Sequence, residues 1–168
     1  CAVADAAGLP VEAMRAAVEG FRGVPHRLEW VRTWNGAAWY NDSIATAPER
    51  AMAAIRSFSE PIVLLAGGRD KKLPWDDFAA LVHQRVDHLL LFGEAAELVR
   101  RAIGEVEAAR RPYTLEVCET LEQAVQAAAR VAAAGDVVLL SPGGTSFDEF
   151  RDFEARGEAY TKWVLELV

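Results

Sequence analysis

The sequence predicts an α/β fold: an open, mainly parallel sheet with helices on both faces, opened by a β-hairpin. Short apolar segments of strand length alternate with longer segments of helical periodicity along most of the chain, which is typical of parallel sheets covered on both faces. Before them, Asn35-Gly36 separates two strand-like segments, and this pair is a strong signal for a hairpin turn. These observations indicate a Rossmann-like domain that begins with the hairpin.

The first 25 residues have a different pattern. Residues 2–19 are rich in alanine, and their apolar residues recur at helical spacing up to Gly20, so one helix is expected there. Residues 21–25 are typical of a linker. Because the chain starts with Cys1 rather than Met, inside the predicted helix, we expect a fragment. Residues 1–25 are then the helical tail of an upstream domain plus a linker, and residues 26–168 form a second domain.

After the linker, strands and helices are expected to alternate. Strands are expected at 28–34, 37–40, 61–66, 88–92, 113–117 and 136–140, the fifth of them near an edge of the sheet. Helices are expected from 47, from 74, from 94, at 120–133 and from 147 onward. The aromatic residues of the last helix recur at helical spacing and are expected mostly in the core, although Phe153 can also line a cleft.

The composition excludes several classes of function. With 18 basic and 25 acidic residues the net charge is −7, which argues against duplex nucleic acid or an anionic membrane as the main partner. Cys1 and Cys118 are the only cysteines, too few for a disulfide framework or a zinc cluster, so a cytoplasmic location is expected. No apolar run approaches the length of a membrane span. A local basic pocket for a small phosphate or carboxylate remains compatible with this composition.

Three loops at the carboxyl ends of predicted strands carry unusual residues: 41–46, 67–72 and 141–147. Ligands of open α/β sheets bind outside these strand ends, so the three loops are candidates for a binding site. Lys71 follows two glycines after a buried strand. It is a candidate for holding an anion, although a solvated loop explains it equally well.

Two of these loops end in the pattern of a helix capping box. Thr46 and Ser146 each stand three residues before a glutamate. Because a helix start attracts anions, we expect the N–H group of Phe147 to begin the last helix and to face a carboxylate or phosphate. The same pattern occurs at 120–123, where no chemistry is expected, so the box does not identify a site by itself.

Charged residues near the loops complete the set of candidates. Asp42 supplies a carboxylate beside the first of the two helix starts, and Arg27 lies at the hinge before the hairpin, where a guanidinium can bind a phosphate bidentately. His26 is interpreted as filling a hydrogen-bonding gap. His83 and His88 have no partners at metal-ligand spacing, so we interpret them as structural or surface residues and expect no metal ligands.

Several common motifs are absent from the sequence. There is no G-x-x-x-x-G-K-S/T loop for a triphosphate and no G-x-G-x-x-G turn for a dinucleotide. There is also no G-x-S-x-G elbow. We therefore expect no nucleophile and no catalytic residue in this chain.

Taken together, four motifs resemble the Mur ligase family: His26-Arg27, residues 41–46, residues 67–71 and residues 140–150. The resemblance extends from about Phe21 to the end, and the residues 44–46 favour the branch that adds D-glutamate to UDP-N-acetylmuramoyl-L-alanine in peptidoglycan biosynthesis. It implies an ATP-dependent ligase that forms an amide bond through an acyl phosphate. This chain would be its carboxyl-terminal domain, and by itself it is expected to be inactive.

The resemblance also implies roles for individual residues toward the amino-acid substrate. Lys71 and Thr46 are expected to hold one carboxylate of D-glutamate. Ser146 and the backbone N–H of Phe147 are expected to hold the other, with Phe153 nearby.

For the nucleotide, the resemblance implies that Arg27 reaches toward the phosphates of ATP and Asp42 toward the ribose. The phosphate loop, the Mg²⁺ ligands and a modified lysine would lie mostly in the preceding ATP-binding domain. Ile44 stands where some members carry lysine. A monomer is expected.

Other functions remain compatible with the sequence. One is a sibling Mur ligase, or a ligase like folylpolyglutamate synthase, that adds another amino acid. Another is a non-catalytic Rossmann-like module that binds a ligand and has lost the chemistry.

Overall fold

The computed structural model describes residues 2–21 and 23–168, and these residues form six strands and seven helices. The helices are α1 (Ala2–Ala6), α2 (Val11–Gly20), α3 (Pro48–Arg56), α4 (Asp76–Arg85), α5 (Ala96–Ile103), α6 (Leu121–Val131) and α7 (Phe153–Glu166). The strands are β1 (Glu29–Trp34), β2 (Ala37–Asn41), β3 (Ile62–Gly67), β4 (Val86–Phe92), β5 (Thr114–Cys118) and β6 (Val137–Gly143). No helix in the described part of the chain is long and apolar enough to span a membrane.

The strands form one sheet in the order β1-β2-β6-β3-β4-β5. Strands β1 and β2 are antiparallel, and every other neighbouring pair is parallel. The hairpin turns through Asn35 and Gly36, both with positive φ (50° and 79°), as a two-residue turn that follows the strand twist requires. The predicted mainly parallel sheet, its opening hairpin and the edge position of β5 are confirmed.

Helices cover both faces of the sheet, as the continuous apolar strands predict. Every residue of β3 is buried. Ile62, Leu64 and Ala66 pack in a core with α3, α4 and α5, whereas Val63 and Leu65 pack on the other face with α6 and α7. This alternation follows from the two-residue period of a strand.

The amino-terminal segment forms two helices rather than the single helix predicted for residues 2–19. Gly8 has a φ of 73°, and Pro10 is the extended residue before α2. A left-handed glycine followed by a proline ends one helix and allows another to begin. No side chain of α1 or α2 is buried. The predicted linker includes Arg22, which like Cys1 lies outside the described residues.

The last helix begins at Phe153, so the prediction that it starts at residue 147 is wrong. Asp152 is its N-cap, and the Asp152 carboxylate accepts the Ala155 N–H at 2.7 Å. The prediction that the aromatic residues of this helix lie in the core is correct for Tyr160, which is buried, but Phe147 is 59% exposed.

Candidate functional site

The three candidate loops meet at one edge of the sheet. They follow β2, β6 and β3, which are consecutive in the sheet order. The N–H of Gly143 donates to the carbonyl of Ala45 at 2.8 Å, and Arg69 and Thr145 exchange two backbone hydrogen bonds of 2.8 Å. The loops are therefore joined by backbone contacts rather than only placed side by side.

Lys71 and Thr46, predicted to act on the same ligand, are in direct contact. The Lys71 ammonium donates a hydrogen bond to the Thr46 hydroxyl at 3.0 Å. Lys71 is exposed and Thr46 is half-buried, so the pair is accessible to a small molecule. The neighbouring Lys72 has a φ of 60°, and its backbone N–H donates to the Asp70 carboxylate at 2.8 Å.

Thr46 does not cap helix α3, so the capping box predicted with Glu49 is wrong. Pro48 is the first helical residue, which makes Ala47 the N-cap, one position after Thr46. The N–H groups of Arg50 and Ala51 are bound instead by the Ala47 carbonyl. The Thr46 hydroxyl is consequently available to Lys71. The pattern at 120–123, in contrast, does form a cap, since the Thr120 hydroxyl accepts the Gln123 N–H at 3.2 Å.

Ser146 and Phe147 lie in a single turn before α7, and the second predicted capping box is also wrong. The Ser146 carbonyl accepts the N–H groups of Glu149 and Phe150. The Glu149 carboxylate accepts the N–H of Leu121 at 3.2 Å and is engaged away from Ser146. Because Ser146 follows Thr145, it stands beside the loop that carries Lys71.

Phe153 packs close to the loop after β2. Its carbonyl accepts the Ser43 hydroxyl at 2.8 Å, and its ring meets the His26 ring edge-on with centroids 6.2 Å apart. His26 also lies 3.1 Å from the Asn41 amide, and a Cβ at Gly157 would collide with its ring. His26 thus fills a hydrogen-bonding gap, as predicted, between the start of the hairpin and α7.

Arg27 and Asp42, the two residues predicted to face a nucleotide, line one cavity of about 420 Å³. Leu28, Ile44 and Arg50 contribute to the same wall. His26 and Leu28, on either side of Arg27, have positive φ values of 60° and 44°. Such a conformation is costly for residues other than glycine and persists only where surrounding contacts impose it.

Asp42 is buried and provides one of these contacts. Its carboxylate accepts the Leu28 N–H at 3.2 Å and the Ser141 hydroxyl at 2.8 Å. Burial raises the pKa of the Asp42 carboxyl, although both hydrogen bonds and the charges of Arg27 and Arg50 oppose the shift. Asp42 therefore joins the hairpin to the end of β6.

Arg156 is a central residue that the sequence interpretation missed. Its buried guanidinium donates to the hydroxyl and the carbonyl of Ser43 at 3.0 and 2.8 Å, and to the Gly144 carbonyl at 3.2 Å. Burial lowers the pKa of Arg156 to about 10, and Asp148 and Glu149 oppose the shift. The Arg156 side chain therefore joins two of the three site loops, 41–46 and 141–147.

A sequence signal for Arg156 existed. It stands three residues after Phe153 and four before Tyr160, on the apolar stripe of the last helix. A charged residue on such a stripe is rarely fully buried unless hydrogen bonds satisfy it.

The remaining histidines and Cys118 have structural roles rather than metal-binding or nucleophilic ones. Across residues 2–21 and 23–168, no group of three or more His, Cys, Asp and Glu side chains is arranged to hold a metal ion. His83 contacts the carbonyls of Arg111 and Ile103, and His88 contacts the Thr114 hydroxyl, so both are structural. Burial raises the pKa of the Cys118 thiol to about 11, which keeps it protonated and unreactive at neutral pH.

Comparison with known proteins shows the family of this chain. The family model described as "Mur ligase, glutamate ligase domain" matches residues 26–144. The UDP-N-acetylmuramoylalanine--D-glutamate ligase of Roseiflexus sp. (strain RS-1) is 46% identical over 167 residues, which cover 97% of this chain and 35% of the relative. The chain spans about a third of the length of the curated relatives it matches.

Solved structures share the fold. A bifunctional folylpolyglutamate synthase/dihydrofolate synthase with Mn, AMPPNP and L-glutamate bound matches 95% of this chain and 36% of that one, with a TM-score of 0.65 and 17% identity. The MurF ligase from Thermotoga maritima in complex with ADP matches 98% of this chain and 36% of that one, with a TM-score of 0.62 and 17% identity.

Proposed function

The chain belongs to the Mur ligase family, and from this premise we propose that it is the carboxyl-terminal domain of an ATP-dependent D-glutamate ligase. The whole enzyme would add D-glutamate to UDP-N-acetylmuramoyl-L-alanine in peptidoglycan biosynthesis. In this reaction the γ-phosphoryl group of ATP passes to the carboxylate of UDP-N-acetylmuramoyl-L-alanine, which leaves ADP and an acyl phosphate. The amine of D-glutamate then attacks the acyl carbon, phosphate leaves, and the amine loses a proton.

The contact between Lys71 and Thr46 carries the proposal for the amino-acid site. An ammonium has three N–H donors, and the bond to Thr46 uses one of them. The Thr46 hydroxyl accepts that bond and keeps its own proton for donation. A carboxylate placed beside the pair would receive charge-assisted hydrogen bonds from both residues.

The second carboxylate of D-glutamate is proposed to bind at Ser146 and the backbone N–H of Phe147, with Phe153 at the side. The support is positional: Ser146 is buried and follows the residue that pairs with Arg69 on the Lys71 loop. The donors would come from the turn at 146–150 and not from a helix start, because α7 begins at Phe153. Two separate anion sites suit a dicarboxylate.

ATP is proposed to lie against the cavity lined by Arg27 and Asp42, with Arg27 toward the phosphates and Asp42 toward the ribose. The exposed Arg27 guanidinium suits a phosphate. The described residues offer no carboxylate cluster for Mg²⁺, so the metal and most of the triphosphate would be held by the upstream ATP-binding domain. The nucleotides bound in two structural neighbours, AMPPNP and ADP, support this class of ligand.

The same proposal assigns the segments of the chain. Residues 1–25 would be the helical tail of the ATP-binding domain, which accords with two helices that bury none of their side chains. Residues 26–168 would be the domain that carries the amino acid, in a cytoplasmic, monomeric enzyme. Its contribution to rate would be positioning and electrostatics, since it brings the amine to the acyl phosphate.

A competition assay on the whole ligase tests the proposed function. Product formation from UDP-N-acetylmuramoyl-L-alanine and ATP is measured with D-glutamate, L-glutamate, L-alanine and L-lysine present together. The proposal expects D-glutamate to be incorporated almost exclusively, and residues 1–168 alone to have neither ligase nor ATPase activity. Incorporation of another amino acid would establish a sibling ligase, and no incorporation would favour a non-catalytic module.

A further inference from the structure

We propose that Arg50 is a second phosphate-binding arginine of this chain and acts with Arg27 on the nucleotide. This inference rests on the proposed function, because it deepens the assignment of the cavity. Arg50 and Arg27 approach the cavity from separate elements, Arg27 from the turn before β1 and Arg50 from the first turn of α3.

The charge of the cavity wall indicates an anionic ligand. Its charged residues are Arg27, Arg50 and Asp42, and the other lining residues are neutral. Two positive charges and one negative charge leave the wall with at least one net positive charge, although the whole chain carries −7. A positive cavity on an acidic protein is the environment in which an anion concentrates.

Neither arginine side chain is bound by another residue that the structure describes. Several other arginines pair with carboxylates, as Arg69 does with Glu94 and Arg111 with Asp87, both at 2.9 Å. In the described part of the chain, Arg27 and Arg50 form no ion pair and no side-chain hydrogen bond. Asp42, the acid of the cavity, already accepts hydrogen bonds from Leu28 and Ser141. Both guanidinium groups are therefore available to a ligand.

The position of Arg50 in its helix is locally unfavourable. It stands in the first turn of α3, where the helix dipole disfavours a positive charge. A residue that breaks a local rule without a compensating contact is characteristic of a functional site. A phosphate bound beside Arg50 would provide that compensation.

The backbone of α3 offers an anion fewer donors than a helix start usually does. Pro48 has no N–H group, and the N–H group of Arg50 is bound by the Ala47 carbonyl. Two of the N–H groups that usually form the anion site of a helix start are therefore lacking here. Phosphate binding at this end would depend on the guanidinium of Arg50, whose planar donors match phosphate oxygens bidentately.

Isothermal titration of the whole ligase with ADP and, separately, with adenosine tests the inference. Arg50→Ala should weaken ADP binding on the order of 10- to 100-fold, the range for a lost hydrogen bond between charged groups. Adenosine binding and the KM for D-glutamate should stay unchanged. Arg56→Ala is the matched control, since Arg56 ends the same helix, is exposed and does not line the cavity.

A second variant tests whether weaker ADP binding comes from the lost positive charge in the cavity and not from a change in the overall fold. Ile44 lines the same wall, so Ile44→Lys in the Arg50→Ala background should restore part of the ADP affinity. Equal ADP affinity in wild type and Arg50→Ala would overturn this inference but not the proposed function. Equal losses of ADP affinity and adenosine affinity in Arg50→Ala would do the same. Wild-type ligase that binds no ADP would overturn the proposed function and this inference with it.

Discussion

The Lys71 ammonium donates a 3.0 Å hydrogen bond to the Thr46 hydroxyl, although the strands that precede these residues are not neighbours. Strand β6 lies between β2 and β3 in the sheet, so the two loops meet across its end. The same end carries the loop with Ser146, which Arg69 and Thr145 join to the Lys71 loop. The hydrogen-bond donors proposed to bind D-glutamate thus lie together at the carboxyl ends of these three strands.

Thr46→Val should impair D-glutamate binding while Thr46→Ser should not. Valine keeps the size of threonine but removes the hydroxyl, which costs on the order of 1 kcal/mol or a several-fold rise in KM for D-glutamate. Steady-state kinetics of the whole ligase measure the effect, and the KM for ATP serves as the internal control. Equal D-glutamate KM values for the valine and serine variants would exclude the hydroxyl from the site.

Arg156→Met should destabilise the 168-residue chain strongly. Its guanidinium satisfies the buried carbonyls of Ser43 and Gly144, and an unsatisfied buried acceptor costs about 1–3 kcal/mol. Urea unfolding should therefore give a free energy of unfolding lower by about 2–5 kcal/mol. Lys162→Met on the same helix is the control and should change it by less than about 0.5 kcal/mol. Equal stability of both variants would contradict the role given to Arg156.

Asp42→Asn should change the pH dependence of stability. Because burial raises the pKa of Asp42, the folded protein keeps this proton to a higher pH than the unfolded chain, where the pKa is about 3.9. Between these two pKa values the folded state binds more protons, so the contribution of Asp42 to the free energy of unfolding falls as pH rises.

The measurement is urea unfolding of wild type and Asp42→Asn between about pH 4 and pH 7. The stability of the wild type relative to the variant should fall with pH above about 3.9 and level off above the raised pKa. Parallel stability curves across this interval would show that burial does not raise the pKa.

The sheet was predictable because its signals are local. The apolar run that forms β3 and the Asn35-Gly36 turn each specify their structure without reference to distant residues. The helix starts were not predictable in the same way. At residue 46 the neighbouring Pro48 moves the cap to Ala47. At residue 146 the glutamate of the predicted box binds the N–H of Leu121, 28 residues away.

The site was predictable only in part for the same reason. Residue types and loop positions made Lys71, Thr46, Arg27 and Asp42 candidates, and the family resemblance gave them roles. The fold brings them together in two pairs. Arg156 acts through Ser43, 113 residues distant in sequence, and no local pattern encodes that contact. Arg50 carries no local sequence signal, and its proposed role rests on the cavity that it lines.

The KM for D-glutamate in Lys71→Ala and Lys72→Ala variants of the whole ligase tests the proposed amino-acid site most directly. The two lysines are adjacent and exposed, but Lys71 is the one that contacts Thr46. Loss of the Lys71 ammonium should raise the KM on the order of 10- to 100-fold, as for a hydrogen bond to a charged group, while Lys72→Ala stays near wild type. Wild-type KM values in both variants, or equal increases in both, would contradict the assignment of D-glutamate to this edge of the sheet.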